Sequence, residues 1–99
     1  MSEWNTIYDT SENVIGIFRH GVAWRKEPRE RLGEYDEEAI YSNNSELVAK
    51  IVGDKVLDTK GKLLGKIKGK DLYIDDTQVG KFIGKKSAGA AAIVFLFDH

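Results

Sequence analysis

A short pattern recurs five times along the chain, and it limits the possible folds more than any other feature. Each copy has a tripeptide such as Ile7-Tyr8-Asp9, then a polar turn, then an apolar residue followed by a small residue and a second apolar position. The repeated small residues lie about 16 positions apart, at Gly16, Gly33, Ala49, Gly65 and Gly80. A repeat of this length is one supersecondary unit, which buries its apolar face only against neighbouring copies.

Turn-forming residues interrupt every copy twice and exclude long helices. Examples are residues 58–61 within a copy and Gly53 or Gly69 between copies. The short runs that remain are rich in Val, Ile, Tyr, Phe and Trp, which is typical of β-strands. Each copy is therefore predicted to be a hairpin. The predicted hairpin repeats cover residues 4–20, 21–37, 38–53, 54–69 and 70–85.

Five hairpins must share one core, because an isolated hairpin is marginally stable in water. The economical arrangement places them around an axis with pseudo-fivefold symmetry. The sequence thus predicts an all-β fold that forms a single domain over residues 1–99.

The segment after the fifth repeat, residues 86–99, does not follow the pattern. Residues 87–97 are apolar on both faces of a strand and on every face of a helix, so we expect the rest of the chain to enclose them. Residues 88–92 suit a short helix, whereas the β-branched and aromatic residues from Ile93 onward favour a strand. An exposed anchor for a membrane or a partner is the less favoured alternative, since such a run would promote aggregation.

Aromatic residues occupy the same position in four of the five copies, about eight residues before the repeated small residue. They are Tyr8, Trp24, Tyr41 and Tyr73. We expect these rings to cover the glycines across the hairpin and to belong to the core. The alternative is an exposed aromatic ring system that stacks on sugars or holds a cation.

Composition limits the class of protein. The chain has 99 residues, no Cys, and a net charge of −1 from 15 basic and 16 acidic residues. Disulfides and thiolate chemistry are therefore excluded. The longest apolar run, residues 90–97, is far shorter than the roughly 20 residues that span a bilayer, and no basic-then-apolar leader begins the sequence. We expect a cytoplasmic protein without a membrane span.

Charge is unevenly distributed, with a net of −5 over residues 1–49 and +4 over residues 50–99. The candidate polyanion-binding residues are Lys62, Lys66, Lys68 and Lys70. A spacing of two puts the last three on one face of a strand, where they would neutralise phosphates. The alternative is that these lysines prevent edge-to-edge pairing between molecules. The near-zero net charge and the lack of an aromatic residue in the same stripe favour the alternative.

Candidate chemical sites are few. Residues 80–87 imitate a phosphate-binding loop, but three residues instead of four separate the glycines and Lys86 replaces the expected Ser or Thr. His20 and His99 are too few for a three-histidine zinc site, and His20 suits a turn. Two clusters of acidic residues lack the ligand spacing of a calcium-binding loop. One cluster is Glu34, Asp36, Glu37 and Glu38, and the other is Asp75 and Asp76. We expect no catalytic residue, no cofactor and no metal site.

The hairpin units, together with the Ala-rich apolar segment 89–97, resemble the small bacterial β-flower domains. In that family, hairpins form petals around a four-fold or five-fold pseudo-rotational axis. The resemblance covers residues 7–82 and the apolar segment; Trp24 with Pro28, and Ala49 in place of Gly, depart from the pattern. The resemblance implies a five-petalled fold and supplies no catalytic residues.

Residues 57–67 are also similar to the opening hairpin of PRC-barrel domains, which act as adaptors for other proteins. Both resemblances imply a module without enzymatic chemistry. We therefore expect a non-enzymatic structural or protein-binding module, with a protein as the favoured partner. The alternatives are binding of nucleic acid or another polyanion through the lysines of the fourth and fifth repeats, and glycan binding by the aromatic residues.

Overall fold

The computed structural model describes residues 5–26 and 29–97, and these form ten β-strands followed by one helical segment. The strands are β1 Asn5–Asp9, β2 Val14–Arg19, β3 Val22–Arg25, β4 Glu30–Tyr35, β5 Ala39–Ser42, β6 Leu47–Val52, β7 Lys55–Asp58, β8 Leu63–Lys68, β9 Asp71–Ile74 and β10 Thr77–Ile83. Helix α1 covers Lys86–Ala92 and continues as a π-helical segment, Ile93–Phe97. Pro28 and His99 lie outside the described residues.

Each strand pairs antiparallel with its neighbours in the sequence, and β1 also pairs with β10, which closes a barrel. Successive pairs of strands form five hairpins, one within each predicted repeat. The prediction of an all-β fold built from five hairpin repeats is therefore confirmed. Closure matters because a strand at an open edge leaves unpaired backbone groups that can pair with another molecule.

A β-bulge occurs at the same place in all five hairpins. In the first hairpin, Ile7 pairs with Gly16 and Tyr8 pairs with Val14, so Ile15 is the extra residue. The equivalent bulge residues are Ile15, Leu32, Val48, Leu64 and Val79, and all five pack partly buried against the core. Bulges increase the local twist of a strand, which helps a sheet to curve and close into a barrel.

The helical segment, residues 86–97, fills the interior of the barrel. Residues from Ser87 to Phe95 are buried, which confirms the prediction that this apolar segment is enclosed. The sequence left strand and helix open for the residues from Ile93 onward, and the structure has a helix that continues as far as Phe97. The physical reason is that backbone groups enclosed by a complete wall need partners within their own segment, and a helix provides them.

Small residues on the wall and on the helix allow the two to pack together. A Cβ atom built on Gly33 would collide with the carbonyl oxygen of Tyr41 and lie 2.6 Å from Cζ of Phe95. A Cβ atom on Gly89 of the helix would lie 2.7 Å from Cε1 of Phe82. The repeated glycine is therefore required because the next hairpin's backbone and the central helix both approach it.

The four repeated aromatic residues, Tyr8, Trp24, Tyr41 and Tyr73, are not part of the core, so their predicted packing over the glycines is wrong. In each hairpin the partner of the small residue is the residue before the aromatic position, as in the pair Ile7 and Gly16. Because side chains alternate along a strand, Tyr8 projects from the outer face, where it is half-buried. The bulge accounts for the error, since a one-residue shift of register exchanges the two faces.

Candidate polyanion-binding face

The outer surface of β7, β8 and β9 belongs largely to the fourth repeat, which has the highest net positive charge of the five. Residues 54–69 contain five Lys and two Asp, a net of +3, whereas the other four repeats have a net charge of −1 or 0. We call this surface the basic face, and its members are Lys55, Lys66, Lys68, Lys70 and Tyr73. Gly65 and Ile67 of β8 are buried inside the barrel, so the alternating residues Lys66 and Lys68 point outward.

Two lysines of the basic face lie directly opposite each other. Lys55 of β7 is the register partner of Lys66 of β8. Like charges directly opposite on adjacent strands destabilise a sheet. Nothing in the packing of the barrel requires this pair, because both side chains are on the outer face. A cost in stability without a packing benefit is typical of residues that serve binding.

An aromatic residue lies among these lysines. Tyr73 of β9 is the register partner of Lys66 on the other side from Lys55. The ammonium of Lys68 lies 5.2 Å from the centre of the Tyr73 ring, which is a cation–π contact. The stripe itself contains no aromatic residue, but Tyr73 on the neighbouring strand lies beside it. The sequence analysis identified Tyr73 only as one of the four repeated aromatic residues, and the register between β8 and β9 brings its ring to the lysines.

The charge of the basic face is not neutralised by ion pairs. Within residues 5–26 and 29–97, the ion pairs are Arg25–Glu30, Arg31–Glu34, Lys81–Glu12 and Lys86–Asp54. None of them includes a lysine of the basic face. Asp71 is the register partner of Lys68, but its carboxylate accepts a hydrogen bond of 3.2 Å from Nε2 of Gln78 instead.

The structure separates the four lysines predicted from the sequence. Lys66 and Lys68 are together on β8, and Lys70 follows them in the link to β9. Lys62 precedes the opposite end of β8, in the turn of the fourth hairpin, where its backbone N–H donates to Oδ1 of Asp58 at 2.8 Å. This hydrogen bond and a second one from the backbone of Lys60 help to lower the pKa of Asp58 below its ordinary value. Lys55 was missed by the sequence analysis because it belongs to β7, outside the stripe.

A small cleft opens beside Tyr73, with a volume of about 150 Å³. Leu63 and Leu64 provide its apolar lining, and Lys66 lies on one side. Asp75 and Asp76 also line it, in the two-residue turn between β9 and β10, where both have positive φ angles of 51° and 64°. The cleft therefore joins an aromatic ring and a cation to two exposed carboxylates.

The aromatic residues of the other hairpins do not combine with Tyr73 into one platform. Tyr8, Trp24 and Tyr41 lie at equivalent outer positions on β1, β3 and β5, so successive rings are two strands apart. That spacing is about 10 Å. Trp24 faces Arg31 and Tyr41 faces Glu34, so the chemistry around each ring differs. Glycan binding by these residues stays a prediction.

Other candidate residues lie away from the basic face. His20 is in the turn that links β2 and β3, with a φ angle of 52°, beside a cavity of about 360 Å³ that Tyr35 and Ser87 also line. Among the residues that the structure describes, no three His, Asp or Glu side chains are placed to hold a metal ion. The described part of the chain also contains no helix that is long and apolar enough to cross a membrane.

No family model, curated protein or solved structure matches this chain. The resemblances to β-flower and PRC-barrel domains therefore remain predictions, and function has to be inferred from the basic face itself.

Proposed function

We propose that this protein is a non-enzymatic binding module that holds an anionic polymer on the basic face. The observation that carries the proposal is the arrangement around Lys66, which has Lys55 on one side and Tyr73 on the other, with no ion pair to an acidic residue among the described residues. An anionic partner would relieve the repulsion between Lys55 and Lys66. The net positive charge of the fourth repeat supports this, even though the whole chain is close to neutral.

The residue types indicate what such a face recognises. Its cations are all lysines, which act as point charges and do not offer the forked geometry of Arg. Lysines suit repeated backbone charges of a polymer better than one precisely oriented group. Displacement of counterions by these lysines makes binding strongly dependent on salt. The closed barrel supports the face with paired strands on both sides, so little ordering is needed on binding.

Docking of a protein is the second candidate. The observation that favours it is the exposure of large apolar side chains on the outer wall, among them Leu47 at 40% and Leu63 at 45%. Leu63 adjoins the basic face, so an acidic protein with apolar side chains would contact both.

The test is fluorescence anisotropy with labelled heparin and labelled single-stranded oligonucleotide, at about 50 mM and about 300 mM salt. The double variant Lys66→Glu with Lys68→Glu is compared with Lys26→Glu with Lys85→Glu, which makes the same change in net charge at exposed sites outside the basic face. We expect the first variant to lose at least about tenfold in affinity for both probes at low salt. We expect the second variant to lose much less.

Equal losses in the two double variants would contradict the basic face as the site, and absence of binding by the wild-type protein at low salt would contradict the function. Circular dichroism melts of all variants check that the fold is retained. If the wild-type protein instead binds an acidic protein through Leu63, the second candidate replaces the first.

A further inference from the structure

We propose that the anionic polymer is a single-stranded nucleic acid, and that one of its bases stacks on Tyr73 in the cleft between β8 and β9. This inference rests on the proposed function and specifies its ligand. Three features carry it: the ring of Tyr73 and the carboxylates of Asp75 and Asp76, which line the cleft, and Lys68, whose ammonium lies over the same ring.

The contact between Lys68 and Tyr73 places a cation beside the ring on which the base would stack. The ammonium of Lys68 lies 5.2 Å from the ring centre in the free protein. A cation–π contact at an exposed site contributes about a twofold to fivefold effect. Stacking of a base on an aromatic ring contributes about fivefold to 100-fold. Stacking of a base in the cleft is therefore the stronger of the two contacts, and Lys68, which does not line the cleft, is placed to attract the adjoining phosphate.

The charges around the cleft determine how a nucleotide is oriented. Lys55, Lys66 and Lys68 attract phosphates, whereas Asp75 and Asp76 repel them. The sugar-phosphate chain therefore follows the lysines, and the edge of the base faces the two carboxylates. Carboxylates accept hydrogen bonds from exocyclic amino groups, such as N4 of cytosine. Uracil lacks such a group, so we expect cytosine to bind more tightly than uracil.

The cleft is too small to admit a duplex. A polymer without bases has no planar group that could stack on Tyr73. Its volume of about 150 Å³ accommodates a single planar base between Tyr73 and the side chains of Leu63 and Leu64. In a duplex, bases are stacked on each other and paired, so they do not reach a ring of this kind. Heparin offers the charge but no aromatic face. Stacking on Tyr73 therefore distinguishes a single strand from both a duplex and heparin.

The experiment measures the affinities of oligocytidylate and oligouridylate of about 12 nucleotides, a duplex of the same length, and heparin. Tyr73→Leu removes the ring, Tyr73→Phe keeps it, and Tyr41→Leu is the control at the equivalent position of the third hairpin. We expect Tyr73→Leu to weaken oligocytidylate binding by about fivefold to 100-fold and heparin binding by less than about twofold. Tyr73→Phe and Tyr41→Leu are expected to behave like the wild-type protein.

A second variant tests the orientation of the base. Asp75→Asn combined with Asp76→Asn keeps residues that tolerate positive φ, so the turn is retained. The loss of both negative charges should bring the affinities for oligocytidylate and oligouridylate closer together. An unchanged ratio between the two would overturn the assignment of the base edge to these carboxylates.

The outcomes distinguish this inference from the proposed function. If Tyr73→Leu binds oligocytidylate as well as the wild-type protein does, or if duplex and heparin bind as tightly as the single strand, base stacking on Tyr73 is wrong while polyanion binding stands. If the wild-type protein binds none of the four probes, both are wrong. Melting temperatures of the Tyr73 variants confirm that any loss of binding is not due to unfolding.

Discussion

The inner and outer faces of the barrel wall follow different rules, although the same strands form both. On the inner face, the same small position recurs in every hairpin, as Gly16, Gly33, Ala49, Gly65 and Gly80. On the outer face, the residue immediately after each of these positions is not the same type in every hairpin. Those residues are Ile17, Glu34, Lys50, Lys66 and Lys81.

The difference shows which contacts restrict the sequence. Each of the four glycines at this position meets the central helix and the backbone of the next hairpin, so the size of the residue there is limited. Outer positions face solvent, so their charge and chemistry vary without a large effect on the fold. A fivefold scaffold can therefore carry a binding face on only one or two of its hairpins.

The comparison of the two faces predicts the largest difference in stability for substitutions of two isoleucines, one on each face. Ile40 is fully buried on the inner face, whereas Ile83 is 51% exposed on the outer face. We expect Ile40→Ala to lower the free energy of unfolding by about 2–5 kcal/mol. We expect Ile83→Ala to change it by less than about 0.5 kcal/mol. Urea denaturation measures both, and similar losses would show that the two faces do not differ in their contribution to stability.

A second prediction concerns the repeated small residue. Gly33→Ala places a Cβ atom against the carbonyl of Tyr41 and the ring of Phe95, and we expect a loss of about 1–3 kcal/mol in unfolding free energy. At the equivalent position of the third hairpin, Ala49→Gly removes a Cβ atom that is already accommodated. That change should cost only about 0.5–1 kcal/mol, through added flexibility of the unfolded chain. If Gly33→Ala costs no more than Ala49→Gly, close packing does not explain the repeat.

A third prediction exchanges residues between two hairpin turns at the rim of the barrel. Ser45 and Gly61 occupy the same place in their turns, with φ angles of 64° and 86°. Side chains are disfavoured at positive φ, so we expect Gly61→Ser to lower the free energy of unfolding by about 1 kcal/mol. Ser45→Gly should raise it, by a smaller amount because Gly also gains entropy in the unfolded chain. Changes of the same sign in both variants would contradict the equivalence of the turns.

The smallest effect on stability is expected for the removal of an ion pair that lies outside the barrel wall. Lys86 donates to Oδ1 of Asp54 at 2.8 Å and to the carbonyl oxygen of Gly53 at 3.1 Å, which ties the start of α1 to the link between the third and fourth hairpins. The hydrogen bond and the charge of Lys86 lower the pKa of Asp54 below its ordinary value of 3.8. A carboxyl group with a lowered pKa in the folded state stabilises the protein above its ordinary pKa, and this contribution is lost as the pH falls through the lowered value.

We therefore expect Lys86→Ala to reduce the Tm slightly at about pH 7, and the difference from the wild-type protein to shrink at about pH 2. Part of the difference in Tm remains at low pH, because Lys86 also donates a hydrogen bond to the carbonyl oxygen of Gly53. Lys85→Ala is the control, since Lys85 has no ion pair among the residues described here. A difference for Lys86→Ala that grows on acidification would contradict the assigned sign.

The strands and turns were predictable from the sequence because each is specified locally. Asp9, Ser42 and Asp58 accept backbone hydrogen bonds within their own turns, so the residues that end each strand are recognisable without knowledge of the rest. Enclosure of residues 87–97 was also predictable, since no face of that segment is polar.

The faces of the strands were not predictable, because both candidate positions carry large apolar or aromatic residues. Ile7 and Tyr8 both suit a core, and only the bulge at Ile15 decides which of them points inward. Only part of the basic face was predictable from the sequence, for a similar reason. The spacing of Lys66 and Lys68 shows that they share a side of one strand, whereas Lys55 and Tyr73 join them only through pairing between strands.

The position of the central helix in the sequence has a consequence for synthesis. All ten strands precede residues 86–97, so the wall is synthesised before the segment that fills it. At typical rates of translation, the twelve residues from Lys86 to Phe97 follow within about a few seconds. Until that segment docks, the nascent hairpins expose the glycines and apolar side chains of their inner faces, and these form a surface to which a chaperone can bind.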